Sequence, residues 1–176
     1  MVQMQLSIII VNYRTPEMLV NCLNSVYRFT SNLSFEIIVV DNASGDNSRE
    51  IIQAAFPQIR WIQFDYNAGF ARANNEGIRQ SSANTILLLN SDTLVNDNAI
   101  GKCFDQFASS PYVACGVQLL NADGSPQISG NYFVPGSLNN LLPLPYVGAC
   151  IKFAGNFFGV KKPHLPDTNT AIGVDW

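Results

Sequence analysis

Three short, largely apolar runs, each stopping abruptly at a polar cluster, constrain this chain more than anything else in it. Leu6 to Val11 ends at Asn12-Tyr13-Arg14, Phe35 to Val40 at Asp41-Asn42, and Thr85 to Leu89 at Asn90-Ser91-Asp92. Runs of this kind read as strands inside a parallel sheet, and Ile86 to Leu89 in particular as a strand buried on both faces. A parallel strand needs a crossover before the next one. The intervening segments therefore have to supply helices.

They carry the marks of doing so. After the first run, Thr15 can cap and Pro16 suits the first helical position. Leu19, Cys22, Leu23 and Val26 then fall at i, i+3, i+4 and i+7, predicting a helix to about Tyr27. After the second, Asn47 with Glu50 three residues on resembles a capping box for a helix through about Phe56. Trp61 to Phe64 reads as a short third strand. The next helical face gathers Phe70, Asn74, Gly77 and Ile78, where an amide and a glycine are costly for a helix that only packs. Thr85 to Leu89 is then the fourth strand, and Ile100, Cys103, Phe104 and Phe107 mark another helix.

Val113 to Leu120 is expected as a fifth strand, followed by a hairpin-type turn at Asn121-Ala122-Asp123-Gly124 leading into Gln127-Ile128-Ser129. Strand and helix thus alternate as far as Leu120, which predicts an α/β fold: a mostly parallel sheet with helices on both faces. Residues 1–120 form the regular part. Residues 121–176 hold the hairpin and then lose periodicity. Five of the nine prolines fall beyond residue 131, with one short helix expected near Ser137 to Leu142.

In open α/β sheets ligands sit outside the carboxyl ends of the strands, so the three polar clusters share a predicted crevice. The two carboxylates suit different work there. Asp41, directly after a strand, could accept hydrogen bonds from a base or ribose, and read alone it is equally a turn residue bonded to its own loop. Asp92 could hold a hard divalent cation through oxygen, with capping of the following turn as the plainer alternative. Ala43-Ser44-Gly45-Asp46 is a loop of small residues that lets backbone approach a ligand closely.

Composition narrows the partners. Charged residues are 13 % of the chain, its formal charge is −3 and its pI is near 4.9, which argues against a nucleic-acid surface and for a small ligand or another protein. The four cysteines, at 22, 103, 115 and 150, form no CxxC pair. They fit reduced thiols in a core, and so a cytoplasmic setting. The N-terminus lacks the basic cluster and the long apolar core of an export signal. Leu141 to Val160 is poor as a membrane span, broken by Pro143, Pro145, Lys152 and Asn156. A loop packed on the core is the preferred reading of it, with a membrane surface or a second chain as the others.

There is no G-x-G-x-x-G, no G-x-x-x-x-G-K-[ST] and no G-x-S-x-G, which sets aside a dinucleotide fingerprint, a P-loop and a serine-hydrolase elbow. The only histidine, His164, lies in a Lys- and Pro-rich loop and reads as solvent-exposed.

Four motifs in register carry a resemblance. LSIIIVNYR, IIVVDNASGD, NAGFARANNEGI and ILLLNSDT, in that order, resemble the nucleotide-sugar-binding half of family 2 glycosyltransferases with the Rossmann-like GT-A fold. The rhamnosyltransferase-like branch is similar also in its LLNADGS-type turn and its V-D-W segment, here Val174-Asp175-Trp176. The resemblance covers nearly the whole chain.

It implies an inverting glycosyltransferase that moves a sugar, rhamnose in that branch, from a nucleoside-diphosphate sugar to a saccharide or lipid-linked acceptor in cell-envelope polysaccharide synthesis. Asn12, Tyr13 and Arg14 would line the nucleotide pocket, Asp41 would contact base or ribose with Asn42 beside it, and Asn75 would help shape the floor. Asn90, Ser91 and Asp92 would form a D-x-D-like element at the diphosphate, with Asp92 holding Mg2+ or Mn2+.

Two departures bear on the site. Asn90 is a neutral, weaker ligand at the first D-x-D position, and Asn74 stands where other branches carry Arg. The family's S-G-A stretch and its acidic general base would follow the V-D-W segment, so the resemblance implies a fragment, with the C-terminal part truncated and the base beyond Trp176. It also implies a cytoplasmic protein, peripheral at the inner face of the membrane, with self-association left open. Two other readings stand beside it: a nucleotide-binding or scaffolding domain without catalysis, and a phosphoacceptor receiver domain. The latter needs an acidic pair after the first strand, where this chain has Asn12-Tyr13.

Overall fold

The computed structural model describes residues 4–127. Close packing divides the chain into a unit Met1–Cys115 and a unit Gly116–Trp176. The first unit contains β1 (Leu6–Asn12), α1 (Pro16–Phe29), β2 (Phe35–Asp41), α2 (Ser48–Ala55), β3 (Arg60–Gln63), α3 (Phe70–Arg79), β4 (Thr85–Asn90) and α4 (Ala99–Ala108).

The four strands form one parallel sheet in the order β3-β2-β1-β4. The chain runs outward from β1 through β2 to β3 and then crosses back to β4, so the direction of winding reverses between β1 and β4. That reversal is the switch point at which α/β sheets open a crevice.

Side-chain alternation builds two cores. Leu6, Ile8 and Ile10 of β1 with Ile37 and Val39 of β2 face Leu19, Cys22, Leu23 and Val26 of α1, Ile52 of α2 and Ile100 of α4. Ile9, Val11, Ile38 and Val40 face the other way, onto Ala73 of α3. Each fully buried Ile or Leu contributes about 1.5–3 kcal/mol, and β1 and β2 hold most of these residues. Gly77 is where α3 meets β1: a Cβ there would lie 2.4 Å from Cγ2 of Ile9. That close approach accounts for a glycine on the packed face. Asn74, the other costly residue on that face, is buried and donates its Nδ2 to the Phe70 carbonyl one turn back, at 3.1 Å.

Four expectations need correction. β4 is an edge strand among the described residues, and Leu88 is 50 % exposed. α3 packs on β1 and β2, so the apolar run is covered well on one face only. No ladder runs along 113–119, and Val113 is 98 % exposed. The alternating apolar residues there supply a strand's face, but a strand also needs a partner for its backbone groups.

The third correction concerns caps. Neither Thr15 nor Asn47 makes a side-chain cap bond. Asp46 Oδ1 instead accepts from Ser48 N at 3.0 Å. The fourth concerns the thiols, which are not all in the core: Cys22 is buried, Cys103 half-buried and Cys115 exposed.

In the second unit the described residues are 116–127. The expected turn is present: Gly124 N donates to the Asn121 carbonyl at 2.9 Å and Gln127 N to that of Leu119 at 2.7 Å, around an antiparallel bridge between Leu120 and Pro126. The helix expected near Ser137, the Leu141 to Val160 stretch, Cys150, His164 and the V-D-W segment lie outside the described residues. No helix among the described residues is long and apolar enough to cross a membrane.

Candidate functional site

Register brings the strand ends together. Asn12 pairs with Asp41, Asp41 pairs with Gln63, and Val11 pairs with Asn90. Three polar residues therefore stand side by side at the carboxyl ends of β1, β2 and β3, with the β4 end beside them.

A continuous hydrogen-bonded row links them. Gln63 Nε2 donates to Asp41 Oδ2 at 2.7 Å and Asn12 Nδ2 to Asp41 Oδ1 at 2.7 Å. Thr15 Oγ1 donates to Asn12 Oδ1 at 3.1 Å and lies 3.2 Å from Ser91 Oγ. The row thus crosses the switch point, from the end of β3 to the loop after β4. Thr15, expected as a helix cap, is the bridge.

Asp41 is its centre. Besides Asn12 and Gln63 it accepts from Ser44, through Oγ at 2.5 Å and the backbone N at 2.9 Å. Each carboxylate oxygen thus takes two donors, and the residue is 2 % exposed. Burial pushes its carboxyl up, but the bonds from Ser44, Gln63 and Asn12 outweigh that, and it titrates below its ordinary value. It is a fixed negative charge at the carboxyl end of β2.

The loops above are held on the same frame. Arg14 N donates to Ser44 Oγ at 2.9 Å and Arg14 Nε to the Ser44 carbonyl at 3.1 Å. The guanidinium sits 5.2 Å from the Tyr13 ring centroid, a cation–π pair on an exposed surface. Arg14 and Ala43 adopt left-handed backbone at φ 56° and 64°, conformations that cost L-residues about 1–2 kcal/mol. Asn42 is buried and turns the other way: its Nδ2 donates to Asn67 Oδ1 at 2.8 Å, and its Oδ1 accepts from Ala68 N at 2.9 Å. It pins the loop before α3, where Gly69 takes a φ of 86°.

The β4 end differs. The side chains of Asn90 and Asp92 are exposed and make no hydrogen bond or ion pair among the described residues. Beneath them, Cys22 Sγ approaches the Asn90 carbonyl at 3.7 Å. Burial, with the nearby Asp92 charge adding to it, pushes that thiol up to about 12. Cys22 is therefore inert packing, not a nucleophile.

No cluster of three His, Cys, Asp or Glu side chains suited to a metal occurs among the described residues. A hard cation that keeps several waters and takes its other oxygens from substrate phosphates needs only one or two protein carboxylates. The unencumbered Asp92 fits that demand, whereas Asp41 has no acceptor position to spare.

Of the expected residues, then, Asn12, Arg14, Asp41 and Ser91 are joined through one network, Tyr13 lies over Arg14, and Asn90 and Asp92 stand beside it. Asn75 is exposed on α3 and lines a shallow pocket with Phe64, Tyr66, Ala68, Arg72 and Arg79. Sequence reasoning placed Ser44 in a loop of close ligand approach but missed its bonds to Asp41, and it missed Gln63 and the bridging role of Thr15. A serine three residues after an aspartate is a local turn signal that could have marked Ser44. Gln63 is visible only through strand register.

The chain matches the family model "Glycosyl transferase family 2" over residues 7–161. It is 30 % identical over 171 residues to the low-salt glycan biosynthesis hexosyltransferase Agl10 of Haloferax volcanii, covering 87 % of this chain and 53 % of that protein. The fold is shared with S. aureus TarS 1–349 in complex with UDP-GlcNAc, at a TM-score of 0.54 and 22 % identity over 60 % of this chain and 31 % of that one. It is shared equally with the mannosyltransferase PcManGT from Pyrobaculum calidifontis in complex with GDP-Man and Mn2+, at 0.54 and 17 %, covering 61 % and 33 %. The chain spans about half the length of this curated relative and about a third of each of these structures.

Proposed function

The chain belongs to glycosyl transferase family 2, and from that premise we propose that it carries the donor site of a glycosyltransferase. A nucleoside-diphosphate sugar would lie across the ends of β2, β1 and β4, and its sugar would pass with inversion to a glycan or lipid-linked hydroxyl. The observation that carries this reading is the row Gln63–Asp41–Asn12–Thr15–Ser91, which runs along the strand ends across the switch point.

Each end of the row has its own task. At the β2 end Asp41 presents fixed negative charge to the hydrogen-bond donors of a base or ribose, while Asn12 and Ser44 hold it in place. Tyr13 and Arg14 offer a planar, cationic surface on which a base can stack and toward which a diphosphate is drawn. β2 and β4 are two strand spacings apart, about 10 Å, a span that a nucleotide covers from base to diphosphate. At the β4 end Asn90, Ser91 and Asp92 meet the diphosphate.

Asp92 would hold Mg2+ or Mn2+, which neutralises negative charge on a departing diphosphate. The mannosyltransferase of the same fold is in complex with GDP-Man and Mn2+, which supports this assignment. A rhamnose donor, and placement at the cytoplasmic face of a membrane, follow from the motif resemblance and belong to the same proposal.

Calorimetric titration of the chain with uridine, thymidine and guanosine diphosphates, each with Mg2+, with Mn2+ and with a chelator, tests it. The reading expects saturable binding of at least one diphosphate that weakens on chelation. Absence of binding by all three, with either metal, would end it.

A further inference from the structure

The four hydrogen bonds on Asp41 are not equivalent. Three come from Asn12 and Ser44, which are 0 % and 3 % exposed and are locked into the strand and loop. The fourth comes from Gln63, whose side chain is exposed at the end of β3, a strand of four residues at the edge of the sheet among the described residues. A carboxylate that is 2 % exposed and carries two donors on each oxygen has no position left for a ligand N–H. If a base is to reach Asp41, one donor has to leave, and Gln63 is the only one at the surface.

Its other bonds do not hold it firmly. Nε2 also reaches the Phe64 carbonyl at 3.1 Å, and Oε1 accepts from Trp61 Nε1 at 3.0 Å, both at exposed positions. Such bonds exchange with water at little net cost.

We propose that Gln63 is a displaceable plug on Asp41, a specificity-determining residue whose amide N–H holds the place of a nucleobase ring N–H until donor binding swings it out. This rests on the reading of the crevice as a nucleotide site. The base it selects is one with a ring N–H beside a carbonyl, as in uracil, thymine or guanine. Cytosine, which has a bare ring nitrogen there, gains nothing when Asp41 is uncovered. The plug also keeps the carboxylate paired when the crevice holds no nucleotide.

The test is calorimetry of uridine and cytidine diphosphates, with Mg2+, on the unaltered chain and on Gln63→Ala and Gln63→Met. The Met variant keeps the side-chain length without a donor, and thermal unfolding checks that both variants are folded. Removing the plug is expected to tighten uridine diphosphate binding about three- to tenfold, the range of one ordinary hydrogen bond, and to leave cytidine diphosphate unchanged. In the unaltered chain the Gln63 side-chain amide resonance, identified by its loss in Gln63→Met, should shift on adding uridine diphosphate and stay put with cytidine diphosphate. Weaker uridine diphosphate binding in both variants would make Gln63 a direct contact and overturn the inference. An equal change for both nucleotides, or none, would overturn it too while leaving the donor site standing. No binding of either by the unaltered chain would remove the donor site, and the plug with it.

Discussion

The two acidic ends of the crevice are built in opposite ways. At β2, Asp41 is buried, accepts four hydrogen bonds and anchors the loops on either side. At β4, Asp92 is exposed and makes no hydrogen bond or ion pair among the described residues, on a strand whose Leu88 is half open to solvent. The difference teaches that a carboxylate at a strand end can serve as architecture or as a free ligand, and that strand position alone does not say which. A charge held by the fold can present a fixed field. A charge left alone can gather a cation.

The comparison breaks most visibly on removal of Asp41. Asp41→Ala strands buried donors on Asn12 and Ser44, and chemical denaturation should show a loss of about 2–4 kcal/mol, whereas Asp92→Ala should stay within about 0.5 kcal/mol. Equal losses would erase the distinction.

The tightness of the β1–β2 side can be probed separately. Gly77→Ala drives a methyl into Ile9, so about 1–3 kcal/mol should be lost through overpacking. Leu88→Ala, on the open side of β4, should cost distinctly less in the same denaturation series.

For binding the order reverses. Asp92→Ala should weaken nucleoside-diphosphate binding in Mg2+ by about tenfold or more, about 1.4 kcal/mol, and abolish the difference between Mg2+ and chelator while leaving the fold intact. Calorimetry that found the metal effect undiminished would move the cation elsewhere.

The smallest effect is on acid stability. Asp41 titrates lower in the folded chain than its unfolded value of about 3.9. Its contribution is therefore complete above that value and is lost as pH falls through the folded one. Glu36 behaves alike: burial raises it, and bonds from Ser7 and Ser82 bring it below its ordinary value. Unfolding free energy should fall on acidification below about pH 4, and less steeply in Asp41→Asn than in the unaltered chain.

Much of this architecture is legible in the sequence. The largely apolar runs at 6–11 and 35–40 announced strands because a parallel strand covered on both faces reads as a near-continuous apolar run, and Pro16 with the Leu19 to Val26 spacing announced α1. The run at 86–89 announced a strand but not its place. The same four residues suit a central strand or an edge, and only pairing decides. Val113 to Leu120 misled for a related reason, since alternation reports which residues could share a face and not whether a partner strand is there.

At the site, Asp41 and Asp92 were both visible as strand-end carboxylates, yet their opposite surroundings depend on Ser44, Gln63 and Thr15. Two of these lie 22 and 26 residues from Asp41 along the chain, and nothing local links them to it. Asn75 was grouped with the crevice by the motif resemblance; it is exposed on α3 beside the buried Asn74.

One measurement reaches the central claim most directly: a map of backbone and side-chain amide shifts as each nucleoside diphosphate is added with Mg2+. The account predicts shifts concentrated at Tyr13, Arg14, Ser44, Gln63, Ser91 and Asp92. Shifts confined to α3, around Arg72, Asn75 and Arg79, with the strand-end row silent, would contradict it.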